Sequence, residues 1–223
     1  MIFNLEDTGA TTGGSVGEYI YNQIFVKGEY PDTFTPDDVV VDIGGHIGLF
    51  AMYASTRIPN GHVYSYEPSP FNYKRFVEHM EKNNIKNVSV LPCAVTGGHV
   101  DTTLYLSQDT GANSIYQKCA HEYFQPNPTT KSCTVSSTTL SDIIEKVGGY
   151  ISYLKIDCEG AEYDILESIT PDEFLKIKQI VLEWHPVDGK SIQALASLLE
   201  SNGYSVTTEG GSYGILIARR TCA

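Results

Sequence analysis

Two apolar strand patterns that each run into an acidic residue constrain the fold of this chain most. The first, VVVDI at Val39–Ile43, contains Asp42 and leads into a turn with glycine at positions 44, 45 and 48. The second, HVYSY at His62–Tyr66, is followed at once by Glu67. Because the carboxyl ends of parallel strands meet at one edge of a sheet, this order predicts an α/β domain with a nucleotide pocket beside its first two strands.

Strand-like and helical patterns alternate through the rest of the chain. Strands are predicted at residues 39–43, 62–66, 88–91, 100–106, 153–156 and 180–183. Helices are predicted at residues 46–57, 70–80, 141–147, 161–169 and 191–202. Residues 204–208 and 214–218 read as a closing hairpin. The pattern therefore predicts a mostly parallel sheet with an antiparallel C-terminal hairpin.

The same pattern suggests how the chain is organised. Residues 1–38 form an aromatic-rich N-terminal segment, a candidate cap over a substrate, and residues 39–223 form the cofactor-binding domain. Residues 111–130 interrupt the alternation, and a long loop inside a compact domain is usually functional. We expect this loop to act as a lid.

Composition excludes several classes of partner. The net charge is −12, with lysine and arginine scattered, so phosphate backbones should be repelled. No apolar run is long enough to span a bilayer. The five cysteines are odd in number and form no CxxC pair, which disfavours both a disulfide framework and a structural zinc site. We expect a cytoplasmic protein that binds neither nucleic acid nor membrane.

The turn after the first strand favours S-adenosylmethionine (SAM) over a dinucleotide. Gly44 permits close approach of the backbone to a ligand, and Gly48 permits close packing of the following helix. His46 occupies the middle glycine position of a dinucleotide-binding pattern, and Asp42 is placed to receive an ammonium group. Glu67 is placed to accept hydrogen bonds from ribose hydroxyls. A tight turn without a ligand, followed by a solvated acid, is the structural alternative.

Two later motifs supply candidate catalytic residues. Asp157, Glu159 and Glu162 follow the strand at 153–156, which should bring Asp157 to the same sheet edge as Asp42. The helix dipole alone explains the two glutamates well, but it explains Asp157 poorly. Glu183 and His185 follow the next strand and should lie beside Asp157.

These side chains suit proton transfer to or from a bound hydroxyl. His185 is the first candidate for the general base because its ordinary pKa lies near neutrality, Asp157 is the second, and Glu183 completes the catalytic set. The same three residues, Asp157, Glu183 and His185, are candidate ligands of a divalent metal, should one be bound.

Together these motifs resemble one family, the FkbM family of SAM-dependent methyltransferases. The resemblance lies in five phrases that occur in the family's order: VVVDIGGHIGLF, YSYEPSPFNY, GANSI, YLKIDCEGAEYDIL and VLEWHP. It implies the class I methyltransferase (Rossmann-like) fold, with a seven-stranded sheet and a terminal antiparallel hairpin. It also implies SAM as cofactor and S-adenosylhomocysteine as product.

The resemblance further implies roles for single residues. Those on the methionine side of SAM would be Asp42, Gly44 and Gly48, and Glu67 would hold the ribose. Those near the adenine would be Pro68, Ser69, Phe71 and Ala94. Asp157 and residues 159–162 would lie by the methyl-transfer site. The family often has Ala-Asn where this chain has Gly45-His46, and His46 is a candidate donor to the cofactor carboxylate.

The sequence therefore predicts an O-methyltransferase that acts on a hydroxyl of a small molecule, a sugar or a secondary metabolite. Tyr19, Tyr30, Glu159 and Glu162 are the candidate acceptor-binding residues. The aromatic N-terminal segment is also a candidate contact in a homodimer. Three alternatives stay open: an NAD(P)-dependent oxidoreductase, a SAM-binding protein that catalyses another reaction, and a non-enzymatic partner protein that kept the fold.

Overall fold

The computed structural model describes residues 10–11, 14–99, 101–107, 109–120 and 131–221. The strands are β1 Ala10–Thr11, β2 Gly14–Ser15, β3 Val39–Ile43, β4 His62–Tyr66, β5 Val88–Leu91, β6 Ala94–Val95, β7 Thr102–Tyr105, β8 Ser132–Val135, β9 Ser137–Thr138, β10 Tyr153–Ile156, β11 Gln179–Trp184, β12 Tyr204–Gly210 and β13 Gly214–Arg220. The helices are α1 Val16–Tyr21, α2 Leu49–Ser55, α3 Pro70–Lys82, α4 Leu140–Lys146, α5 Glu162–Glu167, α6 Pro171–Phe174 and α7 Ile192–Ser201, and a π-helical turn spans Asn22–Lys27. Within these described ranges, no helix is long and apolar enough to cross a membrane.

Seven strands form one sheet in the order β12-β13-β11-β10-β3-β4-β5. The pairs that involve β3, β4, β5, β10 and β11 with one another are parallel. β13 runs antiparallel to both of its neighbours, β11 and β12. The predicted mostly parallel sheet with an antiparallel C-terminal hairpin is confirmed.

The central strands are buried on both faces, which explains why they read as continuous apolar runs. Alternate residues of β3 enter different cores: Val41 packs with one apolar cluster and Val40 with the other. Lys155 breaks the pattern, because it is a charged residue within the buried strand β10. A buried ammonium group requires partners, and these lie at the functional site described below.

Local signals placed most helix boundaries, with one informative exception. Ser69 caps α3 by accepting from the backbone N–H of Asn72, as the Ser-Pro pattern predicts. α2 begins at Leu49, three residues later than predicted, because His46 and Gly48 take left-handed backbone angles (φ 49° and 92°). The sequence patterns did not predict the short elements β1, β2, α1, β6, β8, β9 and α6, nor the π-helical turn.

The N-terminal segment packs on the same core as α2. Ile24 and Tyr30 are buried in the apolar cluster that contains α2. The ring of Tyr30 lies 5.0 Å from that of Phe50, and the ring of Phe34 stacks on Tyr153 at 4.7 Å. The hydroxyl of Tyr30 lies 3.4 Å from Asp157, just after the carboxyl end of β10, whereas Phe34 packs at Tyr153, the first residue of that strand. Residues 121–130 of the predicted lid loop lie outside the described residues.

Candidate active site

A cavity of about 470 Å³ opens at the carboxyl ends of the central strands. β4 lies on one side of β3 and β10 on the other, and a crevice at such a switch point is the usual ligand site of an open α/β sheet. One end, called here the turn lobe, is lined by the turn after β3 together with Glu67 and Ala94. The other end, called here the acid lobe, is lined by Glu29, Tyr30, Asp157, Glu183 and the tyrosines Tyr19 and Tyr213.

The glycine turn is shaped by close packing. Gly44 lines the cavity at φ 81°, and a Cβ atom there would lie 1.7 Å from the carbonyl oxygen of Asp157. Gly48 was predicted to line the methionine side of the cofactor. The structure places it behind the wall instead, where an added Cβ would lie 2.6 Å from the ring of Phe76 on α3. Its role in this structure is therefore helix packing.

Asp42 also lies behind the wall. Its side chain is fully buried, accepts a hydrogen bond from the Ser65 hydroxyl (2.6 Å) and forms an ion pair with Lys155 Nζ (3.2 Å). Lys155 Nζ also donates to the carbonyl oxygen of Gly44 (2.8 Å) and lies 3.5 Å from Asp157 Oδ2. The expected contact of Asp42 with a cofactor ammonium group is not favoured, because a buried lysine already balances its charge.

Lys155 was missed as a functional residue, although a lone lysine in the run YLKI was a usable signal. Burial lowers its pKa, but the carboxylates of Asp42 and Asp157 outweigh burial and leave the pKa above its ordinary value. Lys155 therefore stays protonated and ties the glycine turn to the acid lobe.

Glu67 organises the turn lobe. Its Oε2 accepts from the backbone N–H of His46 and its Oε1 from that of Ser69, both at 2.8 Å. Burial raises the pKa of this carboxyl to about 7, against the lowering effect of these donors. Each carboxylate oxygen keeps further acceptor capacity, which suits the predicted ribose contact.

Residues 109–113 of the loop lie against this lobe. His46 Nε2 is 3.0 Å from the Thr110 hydroxyl, and Asn72 Nδ2 donates to the Thr110 carbonyl oxygen (2.9 Å). Burial lowers the pKa of His46 to about 4, so its imidazole is neutral near pH 7. His46 Nδ1, Asn72 Oδ1 and the Tyr66 hydroxyl are buried in the wall with no hydrogen-bond partner among the described residues. These orphaned polar atoms fit a polar ligand.

The predicted adenine neighbours divide into two groups. Pro68 and Ala94 line the cavity. Ser69 instead caps α3. Phe71 has 48% of its surface exposed and lies beside Arg75 rather than in the wall. The structure therefore does not favour Ser69 and Phe71 as side-chain contacts of a bound adenine.

His185 lies in a cluster of carboxylates. Its Nδ1 is 3.0 Å from Glu162 Oε1, and its Nε2 is 3.3 Å from Glu159 Oε2. Burial opposes protonation, but the two glutamates outweigh it and raise the pKa of His185 to about 10. With both ring nitrogens engaged and a proton on each, the imidazolium is a poor base. This arrangement does not favour the first candidate for the general base.

The two glutamates beside His185 have different positions. Glu162 is fully buried and accepts from the backbone N–H groups of Cys158 (3.2 Å) and Gly160 (3.1 Å), so it holds the turn after β10. Glu159 lines the cavity, and burial raises its pKa to about 8. Of these two candidate acceptor-binding residues, only Glu159 reaches the wall.

The acid lobe brings together residues from four parts of the chain. The buried Tyr30 donates from its hydroxyl to Asp157 Oδ2 (3.4 Å). Burial and the nearby Asp157 raise the pKa of Glu29, and the same two causes raise that of Glu183 to about 8. Tyr19 and Tyr213 stand at the mouth, 62% and 61% exposed. Sequence reasoning missed Glu29 and Tyr213, which tertiary packing alone brings here.

The candidate metal set is close in space but does not fit a metal ion as arranged. Asp157, Glu183 and His185 offer ligand atoms within 4.8 Å of one another. A metal ligand must be deprotonated, however, and His185 is held as an imidazolium between two glutamates. As arranged, these three residues do not offer a metal ion a free imidazole nitrogen.

Comparison with known proteins identifies the family. The chain matches the model of the methyltransferase FkbM domain over residues 42–206. The chain belongs to the FkbM methyltransferase family. It is thus a SAM-dependent methyltransferase of FkbM type, which confirms the resemblance seen in the sequence.

Three relatives illustrate the similarity. Methyltransferase 1 of Beauveria bassiana is 30% identical over 209 residues, which cover 86% of this chain and 82% of the relative. 31-O-demethyl-FK506 methyltransferase FkbM of Streptomyces tacrolimicus is 27% identical over 227 residues, covering 91% and 87%. Hexuronic acid methyltransferase AglP of Haloferax volcanii is 25% identical over 175 residues, covering 72% and 62%.

A solved structure supports the fold. Methyltransferase FkbM from Methylobacillus flagellatus KT superposes with a TM-score of 0.58 at 12% identity, over 89% of this chain and 47% of that one. The class I methyltransferase fold predicted for this chain is confirmed by this likeness and by the strand order of the sheet.

Proposed function

We propose that this FkbM-family protein transfers the methyl group of SAM to a hydroxyl oxygen of a small molecule, a natural product or a sugar. The observation that carries the proposal is a single cavity with the Glu67 turn lobe at one end and the carboxylates of Asp157 and Glu183 at the other. The first end suits a nucleoside, and the second suits removal of a hydroxyl proton. One relative's name specifies methylation at an oxygen of FK506.

The chemistry is a direct displacement at carbon. The bond from the acceptor oxygen to the methyl carbon forms as the carbon–sulfur bond breaks, and the hydroxyl proton goes to a base on the protein. When bound, SAM supplies an electrophilic methyl group with its own leaving group. Orientation of the acceptor oxygen therefore provides much of the acceleration.

We assign the base to Glu183. Asp157 Oδ2 is already engaged by the Lys155 ammonium (3.5 Å) and the Tyr30 hydroxyl (3.4 Å), so these contacts hold the carboxylate in place. Glu183 lines the cavity, and burial beside Asp157 raises its pKa to about 8, close to the working pH of a general base. Asp157 and Tyr30 then orient the acceptor.

The charge of the acid lobe narrows the acceptor class. Glu29, Asp157 and Glu183 face a common space, so an anionic acceptor would be repelled. This favours a neutral or cationic hydroxyl compound over a hexuronic acid. The exposed rings of Tyr19 and Tyr213 offer flat apolar surfaces for the rest of the acceptor.

We propose that the N-terminal segment serves as the acceptor cap. The NAD(P) alternative is not retained, because the chain belongs to a methyltransferase family.

Glu67→Gln should weaken SAM binding by about 1.5–3 kcal/mol, roughly 10–150-fold in Kd, because a charged acceptor of the ribose hydroxyls is lost. Isothermal titration calorimetry of SAM measures the change. Glu81→Gln, an exposed acid on α3, is the matched control and should leave Kd unchanged. A folded Glu67→Gln variant with wild-type affinity would show that another group holds the ribose.

The proposed function is tested with SAM labelled in its methyl group. Alcohols and amines of neutral, cationic and anionic charge are incubated with the protein, and the product is analysed by mass spectrometry and NMR. We expect label in an O-methyl group of a neutral or cationic acceptor. Label only on nitrogen or carbon, or only on anionic acceptors, would contradict the proposal. Heat-inactivated protein is the control for non-enzymatic transfer.

A further inference from the structure

The described wall of the active-site cavity is strongly acidic. It contains six carboxyl side chains and one lysine, and this imbalance gives the cavity a negative potential. The acids are Glu29, Glu67, Asp109, Asp157, Glu159 and Glu183. Three of them, Glu29, Asp157 and Glu183, belong to the acid lobe.

The basic groups of this wall do not cancel the imbalance. The Lys155 ammonium lies 3.2 Å from Asp42 Oδ1, and Asp42 is a carboxylate behind the wall. The charge of Lys155 is thus already neutralised by Asp42, which is not one of the six acids of the wall. The His46 imidazole is neutral near pH 7, because burial lowers its pKa to about 4. The wall therefore has an excess of negative charge even if some carboxyls keep their protons.

SAM and its product differ in the property that this wall detects. SAM has a sulfonium, an ammonium and a carboxylate group, and hence one net positive charge. S-adenosylhomocysteine has lost the methyl group and the sulfonium charge and is neutral overall. The two molecules otherwise share every group that can form a hydrogen bond. A negative wall attracts the first more strongly than the second.

The sulfonium charge must lie near the acid lobe. In the proposed reaction the acceptor hydroxyl lies beside Glu183, and the methyl carbon is bonded directly to the sulfur. The sulfur is therefore within one methyl group of the acceptor oxygen, and Glu29 and Glu183 are the acids of this lobe not paired with Lys155.

We propose that Glu29 and Glu183 make this protein charge-selective, so that it binds SAM more tightly than S-adenosylhomocysteine. The proposal rests on the assignment of SAM to this cavity. During transfer the cofactor loses its sulfonium charge, and the acceptor proton neutralises Glu183. The electrostatic attraction between cofactor and protein therefore decreases. S-adenosylhomocysteine then dissociates from the protein more readily than SAM does.

Calorimetry tests the proposal without knowledge of the acceptor. Kd is measured for SAM, for S-adenosylhomocysteine and for sinefungin, an unreactive analogue with an amine in place of the methylsulfonium. The proteins are wild type, Glu29→Gln, Glu183→Gln and the control Glu200→Gln, an exposed acid on α7. Each amide variant keeps side-chain shape and removes one carboxyl, whose ionised form a neighbouring sulfonium cation favours although burial raises its pKa.

In the wild type we expect S-adenosylhomocysteine to bind about tenfold more weakly than SAM, and sinefungin to follow SAM. The ratio of the two Kd values should fall by roughly threefold or more in Glu29→Gln and in Glu183→Gln, mainly through weaker SAM binding. Glu200→Gln should keep the wild-type ratio.

Three results would overturn the proposal. Equal or tighter binding of S-adenosylhomocysteine by the wild type would show that the wall does not select charge. An unchanged ratio of the two Kd values in a folded Glu29→Gln or Glu183→Gln variant would remove the role of that residue. If one of the two variants does not fold, the other still tests the proposal. Absence of binding of all three ligands to folded wild type would remove the SAM assignment itself, which separates the failure of that premise from the failure of charge selection.

Discussion

Glu183→Gln is expected to lower kcat by about 10²–10⁴-fold, the usual contribution of a general base. Glutamine keeps the size of the side chain but cannot take the hydroxyl proton. Glu183 lines the acid lobe, whereas His185 is held as an imidazolium by Glu159 and Glu162. The Kd for SAM should change far less than kcat. Initial rates with an acceptor found by the labelling screen provide the measurement.

The pH profile gives this prediction a second readout. A base works only when ionised, and burial with Asp157 raises the pKa of Glu183 to about 8. Wild-type kcat/KM should therefore be low at pH 6, rise through the region near pH 8 and then level. Glu183→Gln should lose this rise, and Glu183→Asp should recover part of the rate. A Glu183→Gln variant with wild-type kcat and an unchanged profile would assign the proton to another group.

Lys155→Met is expected to reduce the free energy of unfolding by about 3–5 kcal/mol, because it leaves Asp42 as a buried charge without a counterion. Asp42 is fully buried. Its Oδ1 faces the Lys155 ammonium, and its Oδ2 accepts a hydrogen bond from the Ser65 hydroxyl. The Lys155 contact with the Gly44 carbonyl oxygen is lost as well. Urea denaturation followed by the fluorescence of Trp184, the single tryptophan, measures the change.

Two variants control for the lost lysine. Lys118→Met removes an exposed ion pair with Asp188 and should leave the urea midpoint unchanged. The double variant Lys155→Met with Asp42→Asn removes both buried charges and should recover part of the lost stability. If Lys155→Met alone were as stable as wild type, the buried pair would not be needed to neutralise Asp42.

Features written in local sequence were predictable. The strand ends at Ile43 and Tyr66 and the Ser69 cap of α3 each depend on neighbouring residues, and the structure has them as predicted. The start of α2 was predicted three residues too early, because the sequence around His46 contains no signal for a left-handed backbone angle. Local patterns therefore sufficed for the sheet but not for the details of the turn.

Partners distant in the chain were not predictable. His185 and Glu162 are brought together by the packing of β11 beside β10, and this contact raises the pKa of the histidine. Tyr213 reaches the cavity because Gly214, which follows it, pairs with Trp184 in the antiparallel register of β11 with β13. A single sequence contains neither the register nor the resulting electrostatics.

The π-helical turn at Asn22–Lys27 has an evolutionary consequence. Its residues Gln23 and Ile24 line the cavity, and Tyr19 stands at the mouth just before it. A π turn takes up about one more residue than an α-helical turn within the same rotation, so deletion of one residue would convert it to an α-helical turn and leave the preceding helix in register. Tyr19 would stay at the mouth, and Glu67 and Asp157, on other elements, would stay in place, while the wall formed by Gln23 and Ile24 would change. Loss of one codon is thus a route by which a lineage reshapes one side of this cavity and leaves the rest of it intact.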